Sequence, residues 1–251
     1  MNYRIADING LPFIVGKYRN DPYTVIPPFY LEGNFSYELF GEIKERLGVD
    51  KLRISPLVSG EVSKIKEHFG DAEISLSREL ADYFYNTSDL INLPGKKFHQ
   101  KRNHVNSFIS KYPYTYVRID ADSKDLLREA YEALYDENSG QDLADEHIAI
   151  LEMIENFEVL GLAAGVILCD GKPAAYSIGE HMSDDTALIH FEKADKNYSG
   201  AFAAINKMFA SCEFADTLFI NREEDMGIEG LRKAKLSYHP VRLGEYYTAI
   251  I

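Results

Sequence analysis

Cysteine is scarce: 2 of 251 residues, Cys169 and Cys212, each inside an apolar segment and with no Cys-x-x-Cys pair. That excludes a disulfide framework and gives no zinc-ribbon or dithiol redox signature, so both read as reduced core residues. Long apolar runs are missing too. The longest nearly uncharged one, residues 159–169, covers 11 residues, against the roughly 18 to 20 that cross a bilayer, and no transmembrane helix is expected. The first residues carry one positive charge with no apolar segment behind it, which argues against a secretory signal and leads us to expect a cytoplasmic protein. None of the 7 histidines forms His-x-His or His-Glu-x-x-His, so no metal site is expected. No repeat or low-complexity tract is visible. With 45% hydrophobic and 27% charged residues, the chain should bury a core, as one large domain or two compact ones.

Charge is unevenly placed. Lys and Arg total 27 against 40 Asp and Glu, a net charge of −13, and an acidic surface ordinarily repels nucleic acid and anionic lipid. Residues 90–119 nevertheless hold no acid, while Lys96, Lys97, Lys101, Arg102, Lys111 and Arg118 fall there with His99 and His104. Residues 120–170 reverse this, with 14 acids against Lys124 and Arg128. The island is a candidate anion site, with a plain surface helix as the alternative.

Short strands and helices alternate. Residues 3–5 and 11–15 read as strands around Asn9-Gly10, a hairpin turn signal, before Pro27-Pro28 breaks the chain. Phe35, Leu39, Ile43 and Leu47 recur at helical spacing, with Gly48 as a stop. Residues 52–58 read as a strand bounded by Pro56. A helix capped by Ser59 follows, with Val62, Ile65 and Phe69 on its apolar face. Residues 72–76 and 83–85 look extended, and Asn92-Leu-Pro-Gly95 makes the best boundary, dividing a first domain, 1–93, from a second, 94–251. The second opens with a basic connecting helix over 95–112, with Phe98, Val105, Phe108, Ile109 and Tyr112 on one stripe and Lys97, Lys101 and His104 on another. Beyond Pro113 we expect a strand (114–119), helices (124–134 and 145–159, with a loop near Ser139-Gly140) and strands (162–169, 174–179 and 186–192). A helix (199–212), a strand (218–221), a helix (228–236) and a closing strand (241–247) complete the chain.

The order from residue 114 onward resembles the GCN5-related N-acyltransferase fold. A sharper likeness is Gly230-Leu-Arg-Lys-Ala-Lys-Leu-Ser-Tyr-His-Pro240, which resembles the Gly-Leu-Arg-x-x-Lys-x-x-Phe-x-Pro element of the phosphatidylglycerol lysyltransferase C-terminal domain. The Fem peptidyltransferases carry a similar element. The segment Lys96-Lys-Phe-His-Gln-Lys-Arg-Asn-His-Val-Asn106 is similar to the basic helix joining the two acyltransferase-like lobes of these proteins. The resemblance implies an α+β fold of tandem lobes, each a mixed sheet flanked by helices. Relative to a full lobe, the segment before Asn92 lacks an opening strand and two helices, so the expectation is either an abbreviated first lobe or a sequence that starts late. The resemblance also implies transfer of an aminoacyl group from tRNA, with Lys96, Lys97, Lys101, Arg102 and His104 contacting the nucleic acid.

Coenzyme A users of this fold aim backbone N–H groups at a pyrophosphate from a Gly-rich loop before a helix. Here that stretch is Lys193-Ala-Asp-Lys-Asn-Tyr-Ser-Gly200, which keeps only Gly200 and places the negative Asp195 where an anion would sit. That favours aminoacyl-tRNA over acyl-CoA as donor. An acyl-CoA N-acyltransferase and a non-catalytic ligand-binding protein remain the alternatives, and no cofactor is implied with certainty.

Moving an activated ester carbonyl to an amine or hydroxyl requires positioning, an oxyanion partner and a proton acceptor, and no covalent nucleophile. Lys235, which matches the lysine of the family element, can supply a cation. Arg232 lies on the same helical face, and the alternative is a solvated basic helix. Asn221-Arg-Glu-Glu-Asp225 follows a strand directly. Glu223, Glu224 or Asp225 could be the base or hold a substrate ammonium, with Asn221 and Arg222 beside them; the alternative is an acidic loop before Gly227. Glu192 and Lys193 end the preceding strand toward the same cleft, with Asn206 on the next helix and Tyr238 in the family element as further candidate substrate contacts. His190 reads as a satisfied core residue, and Tyr112, Tyr114 and Tyr116 as packing along one strand.

Overall fold

The computed structural model describes residues 2–8, 10–17, 21–27, 36–135 and 142–251. Two compact units emerge. The first comprises residues 1–81, 224–228 and 244–251, and the second 82–223 and 229–243. The chain therefore divides at Ala81, ahead of the expected boundary at 93/94, and residues 82–93 belong with the second unit.

In the first unit, a mixed six-stranded sheet is ordered β1 (Asn2–Ile8), β2 (Leu11–Lys17), β3 (Tyr23–Ile26), β4 (Leu52–Leu57), β13 (Tyr247–Ile250), β5 (Glu73–Leu76). β3 and β4 run parallel and every other pair antiparallel. Helix α1 (Glu38–Leu47) covers it with Leu39, Phe40 and Ile43 and ends at left-handed Gly48, as the spacing predicts. Phe35, Asn9 and Pro28 lie outside the described residues. Pro56 lies inside β4 rather than bounding it. In α2 (Ser59–His68) only Ile65 is buried, and Val58 rather than Ser59 holds the cap position, its N–H going to the Glu61 carboxylate at 2.8 Å.

The second unit holds a seven-stranded mixed sheet: β12 (Arg242–Leu243), β6 (Tyr83–Asn86), β11 (Phe219–Asn221), β10 (Thr186–Ala194), β9 (Lys172–His181), β8 (Ala163–Cys169), β7 (Tyr114–Ile119). Only β10 and β11 run parallel. β8 reads as a continuous apolar run because both its faces are covered. Val166 packs with Leu127 of α5 (Lys124–Leu134) and Ile150 of α6 (Asp142–Glu155), while Ile167 packs with Phe108 of α4 (His99–Lys111) and Ala204 of α7 (Ala201–Glu213). The expected loop near Ser139-Gly140 lies outside the described residues. Helices α3 (Thr87–Asn92), which periodicity does not announce, and α8 (Glu229–Leu236) complete the unit. Among the described residues, the first unit carries two α-helices and the second six.

Further expectations need correction, and of the two cysteines only Cys169 is a core residue, Cys212 being exposed. The closing strand at 241–247 is really two strands: β12 pairs with β6 in the second sheet, and β13 inserts between β4 and β5 in the first. Ile109 is exposed rather than on the buried stripe of α4, which runs through Phe98, Val105 and Phe108. Tyr112 ends α4 and is not on β7, while Tyr116 donates its hydroxyl to Glu213 at 2.9 Å.

Candidate active site at the splayed strands of the second unit

β10 and β11 pair at Thr186/Phe219, Ala187/Ile220 and Leu188/Asn221, then separate. β10 continues along β9 to Ala194, whereas the chain after β11 turns to β6: the Arg222 N–H donates to the Tyr83 carbonyl at 3.0 Å, and the Tyr83 N–H to the Glu223 carbonyl at 3.2 Å. A register shift between Ile189 and Phe191 makes His190 an extra residue of β10, the mark of a bulge. Glu223 has φ of 54°, a left-handed conformation unusual for a side-chain-bearing residue, and its N–H is taken by Asn221 Oδ1 at 2.8 Å.

A buried polar cluster fills the splay. Arg222 Nη2 meets Glu192 Oε1 at 2.9 Å, with the two side chains 12% and 11% exposed, and fully buried Asn206 donates Nδ2 to Glu192 Oε2 at 3.0 Å. Both carboxylate oxygens are therefore engaged. Arg222 Nη1 and Asn206 Oδ1, by contrast, are buried with no hydrogen-bond partner, a donor and an acceptor left open beside one carboxylate. The Arg222 guanidinium lies over the rings of Tyr85 (5.7 Å) and Tyr238 (5.0 Å). Burial pushes both phenols well above their ordinary range. For Arg222 burial is the largest influence and pulls the other way, but Glu192 together with Tyr85 and Tyr238 outweighs it and holds the guanidinium protonated.

Lys235 is buried, and its ammonium donates to the main-chain carbonyls of Arg222 and Glu223, while the Lys235 carbonyl accepts from Tyr85 Oη at 2.8 Å. A solvated basic helix is thus the wrong picture for this lysine, although Lys233 one turn-face away is exposed. Glu223 pairs with His190 Nδ1 at 2.9 Å, and Glu180 with His190 Nε2 at 3.2 Å. His190 is thus satisfied at both ring nitrogens, as expected, with its side chain 16% exposed. Burial lowers its proton affinity, the two carboxylates outweigh that, and the net direction is upward.

Other expected site residues go elsewhere. Asp225 and Glu224 belong to the first unit, where the buried Asp225 carboxylate pairs with Arg78 at 3.1 Å and takes the Gly227 N–H at 2.9 Å. Asn221 is spent on Asp82 (3.1 Å) and Glu223. Lys193 pairs with Glu146 of α6 at 2.7 Å. Arg232 is half-buried on α8. Gly200, at φ 91°, caps α7 where α4 crosses closely: a Cβ there would stand 2.3 Å from the His104 carbonyl oxygen. Asp195 turns its carboxylate onto the Asn197 N–H at 2.8 Å.

On α4 the basic island is largely consumed. Arg102 donates to the carbonyls of Leu93 and Gly95, and Lys97 pairs with Asp89 at 3.3 Å, leaving Lys96 and His104 exposed. Lys101 is drawn inward, its Nζ 3.9 Å over the Tyr238 ring. Its place was legible: residues 98, 101, 105 and 108 share one stripe, so Lys101 belongs with the buried face and not with Lys97 and His104. Tyr85 and Glu180 carry no sequence signal and enter only through strand pairing. Separately, the first unit has a cavity of about 680 Å³ lined by residues including Ile8, Val15, Ile43 and Arg46. None of the expected site residues lines it. Among the described residues no group of acids, histidines and cysteines could hold a metal ion, and no helix is long and apolar enough to cross a membrane.

The same architecture recurs in solved structures. A conserved protein of unknown function from Bacteroides thetaiotaomicron is 33% identical, with 99% of this chain and 86% of that one covered and a TM-score of 0.82. L-PGS from Bacillus licheniformis shares the fold at 14% identity (98% and 83% covered, TM-score 0.67), as does FemX at 10% (99% and 87%, TM-score 0.58). These likenesses make the fold α+β with tandem acyltransferase-like lobes. An uncharacterised protein of Mycoplasmoides gallisepticum is 23% identical over 207 residues, and the chain spans 65% of the length of that curated relative and 80% of its own. The model of the family described as phosphatidylglycerol lysyltransferase, C-terminal, matches residues 49–250, including both strands of the splay, the Arg222–Glu192 pair and Lys235. The chain belongs to this family of transferases.

Proposed function

We propose that the chain transfers an aminoacyl group from aminoacyl-tRNA to an amine or hydroxyl acceptor at the splay of β10 and β11. The observation that carries this reading is the buried Arg222–Glu192–Asn206 cluster with one donor and one acceptor unfilled. Arg222 Nη1 can take the ester oxygen as it gains charge, and Asn206 Oδ1 can take an N–H of the aminoacyl group. Buried, pre-aimed donors of this kind stabilise an oxyanion without reorganisation. Lys235 fastens the carbonyls of Arg222 and Glu223 and so acts as a positioning residue, with Glu192 orienting Arg222 and Asn206. The family's name supports an aminoacyl group as what is transferred, and the resemblance carried by residues 96–106 and 230–240 implies tRNA as its donor. The Gly200 loop supports it indirectly, since the His104 carbonyl crowds Gly200 at the start of α7 and the loop before it carries the Asp195 carboxylate, where coenzyme A would need open N–H groups and no negative charge. Lys96 and His104 remain as candidate tRNA contacts.

The test supplies total tRNA charged with radiolabelled amino acids, together with phosphatidylglycerol vesicles or a pool of small amines and alcohols, and follows label into a product that is no longer tRNA-bound. We expect tRNA-dependent product, and weaker than millimolar CoA binding by calorimetry. No product with any acceptor combined with micromolar CoA affinity would overturn the donor assignment.

A further inference from the structure

We propose that Lys101 is the proton acceptor of the transfer, because its amine shares the Tyr238 ring with the Arg222 guanidinium and is drawn off the basic face of α4 into the buried cluster. The inference rests on the aminoacyl-transfer reading and adds the group that reading lacks: Glu192 has both oxygens engaged, Glu223 is held by His190, and the Lys235 ammonium is committed to two carbonyls.

The groups facing Lys101 set its state. Tyr238, after α8, lies under it at 3.9 Å, and Arg222 lies over the same ring at 5.0 Å. Glu192 of β10 is the nearby carboxylate and is already paired with Arg222, and Tyr85 of β6, its ring 6.4 Å from that of Tyr238, stays protonated. Lys101 makes no ion pair of its own among the described residues. Burial disfavours its charge, Arg222 disfavours it further, Glu192 restores part, and the net effect lowers the ammonium to about 8. A neutral amine is thus available near neutral pH, which is what a proton acceptor needs.

The step balances. The acceptor's O–H or N–H proton passes to Lys101 Nζ as its heteroatom bonds to the ester carbonyl carbon, and charge collects on the carbonyl oxygen beside Arg222 Nη1. The carbon's bond to the tRNA ribose oxygen then breaks, and that oxygen leaves with the proton carried by Lys101. No other reactant is consumed.

Two measurements test this. Trace labelling of the wild-type protein with acetic anhydride across pH 6 to 11, read by mass spectrometry, should give Lys101 a midpoint near 8; a midpoint above 10 for Lys101 overturns the proposal. In the charged-tRNA assay, Lys101→Arg and Lys101→Met should each lose about 100-fold or more in kcat while keeping the wild-type melting temperature. Arginine preserves the cation, so a lysine that merely bound an anion would tolerate the first change, and near-wild-type turnover in K101R overturns the role. If the wild type itself moves no label, the donor assignment fails, and the labelling midpoint still decides the state of Lys101.

Discussion

Replacing Glu192 with alanine should be among the most damaging single changes in the second unit. The carboxylate is 11% exposed and holds Arg222 at 2.9 Å and Asn206 at 3.0 Å. Its loss leaves a guanidinium at 12% exposure with neither of its terminal nitrogens satisfied by a side chain, since Nη1 already has no partner. Breaking a buried pair by removing one partner costs about 3–5 kcal/mol, because the stranded charge cannot regain water. At about 2–4 °C per kcal/mol for a chain of this size, the melting temperature should fall by about 6–20 °C. Solvent screening is small at this burial, so little discount applies. The decisive comparison is the double change Glu192→Leu with Arg222→Leu. Removing both charges leaves no stranded ion, so the pair should cost less than E192A alone. With 17 tyrosines and no tryptophan, urea unfolding is best followed by circular dichroism and tyrosine emission. An E192A loss under about 1 kcal/mol, or a double variant less stable than the single, would refute a buried, mutually dependent pair.

Gly200→Ala should cost well over about 1 kcal/mol, since a left-handed φ and the His104 carbonyl both oppose a Cβ; urea titration reads it, and a neutral result would mean α4 and α7 can part freely. His190 binds its proton more tightly folded than unfolded, so its contribution is complete below the ordinary 6.5 and fades as pH rises through the higher folded value. The stability gap between wild type and His190→Gln should therefore shrink from pH 5.5 to 8.5, and a constant gap sinks the idea. Asp225→Asn should lower stability through the Arg78 pair, leaving turnover per folded molecule within a few-fold; a large kcat loss at unchanged stability would return Asp225 to the chemistry. Arg102→Ala should destabilise the turn before α4 more than it changes the salt dependence of tRNA binding, whereas Lys96→Ala should flatten that dependence by about one unit of log K per log salt if Lys96 meets a phosphate.

Local pattern determines most of the elements. Residues 114–119 and 124–134 form the strand and helix that alternation and helical spacing indicate, because each buries one apolar face against a neighbour. The element Gly230 to Pro240 likewise points to its family through residue types alone, and Lys235 does become a buried, fully used cation. Pairing between distant segments is a different matter, since strand partners are chosen by the whole sheet and leave no local trace. β13 joins the first sheet although it closes the sequence, and β6 joins the second although it precedes α4. That exchange places Asp225 in the first unit with Arg78 and brings Tyr85 under Arg222 in the second. Charge counts misled for the same reason: a run of lysines and arginines records the residues and not their partners, and the partners turn Arg102 to carbonyls, Lys97 to Asp89 and Lys101 inward to Tyr238. The sequence thus determined which segments fold and to which family they belong. Only the tertiary structure decided which charges are spent on the fold and which stand open for chemistry, because burial and counter-charge depend on how the chain folds back, from Asp89 8 positions from Lys97 to Arg78 147 positions from Asp225.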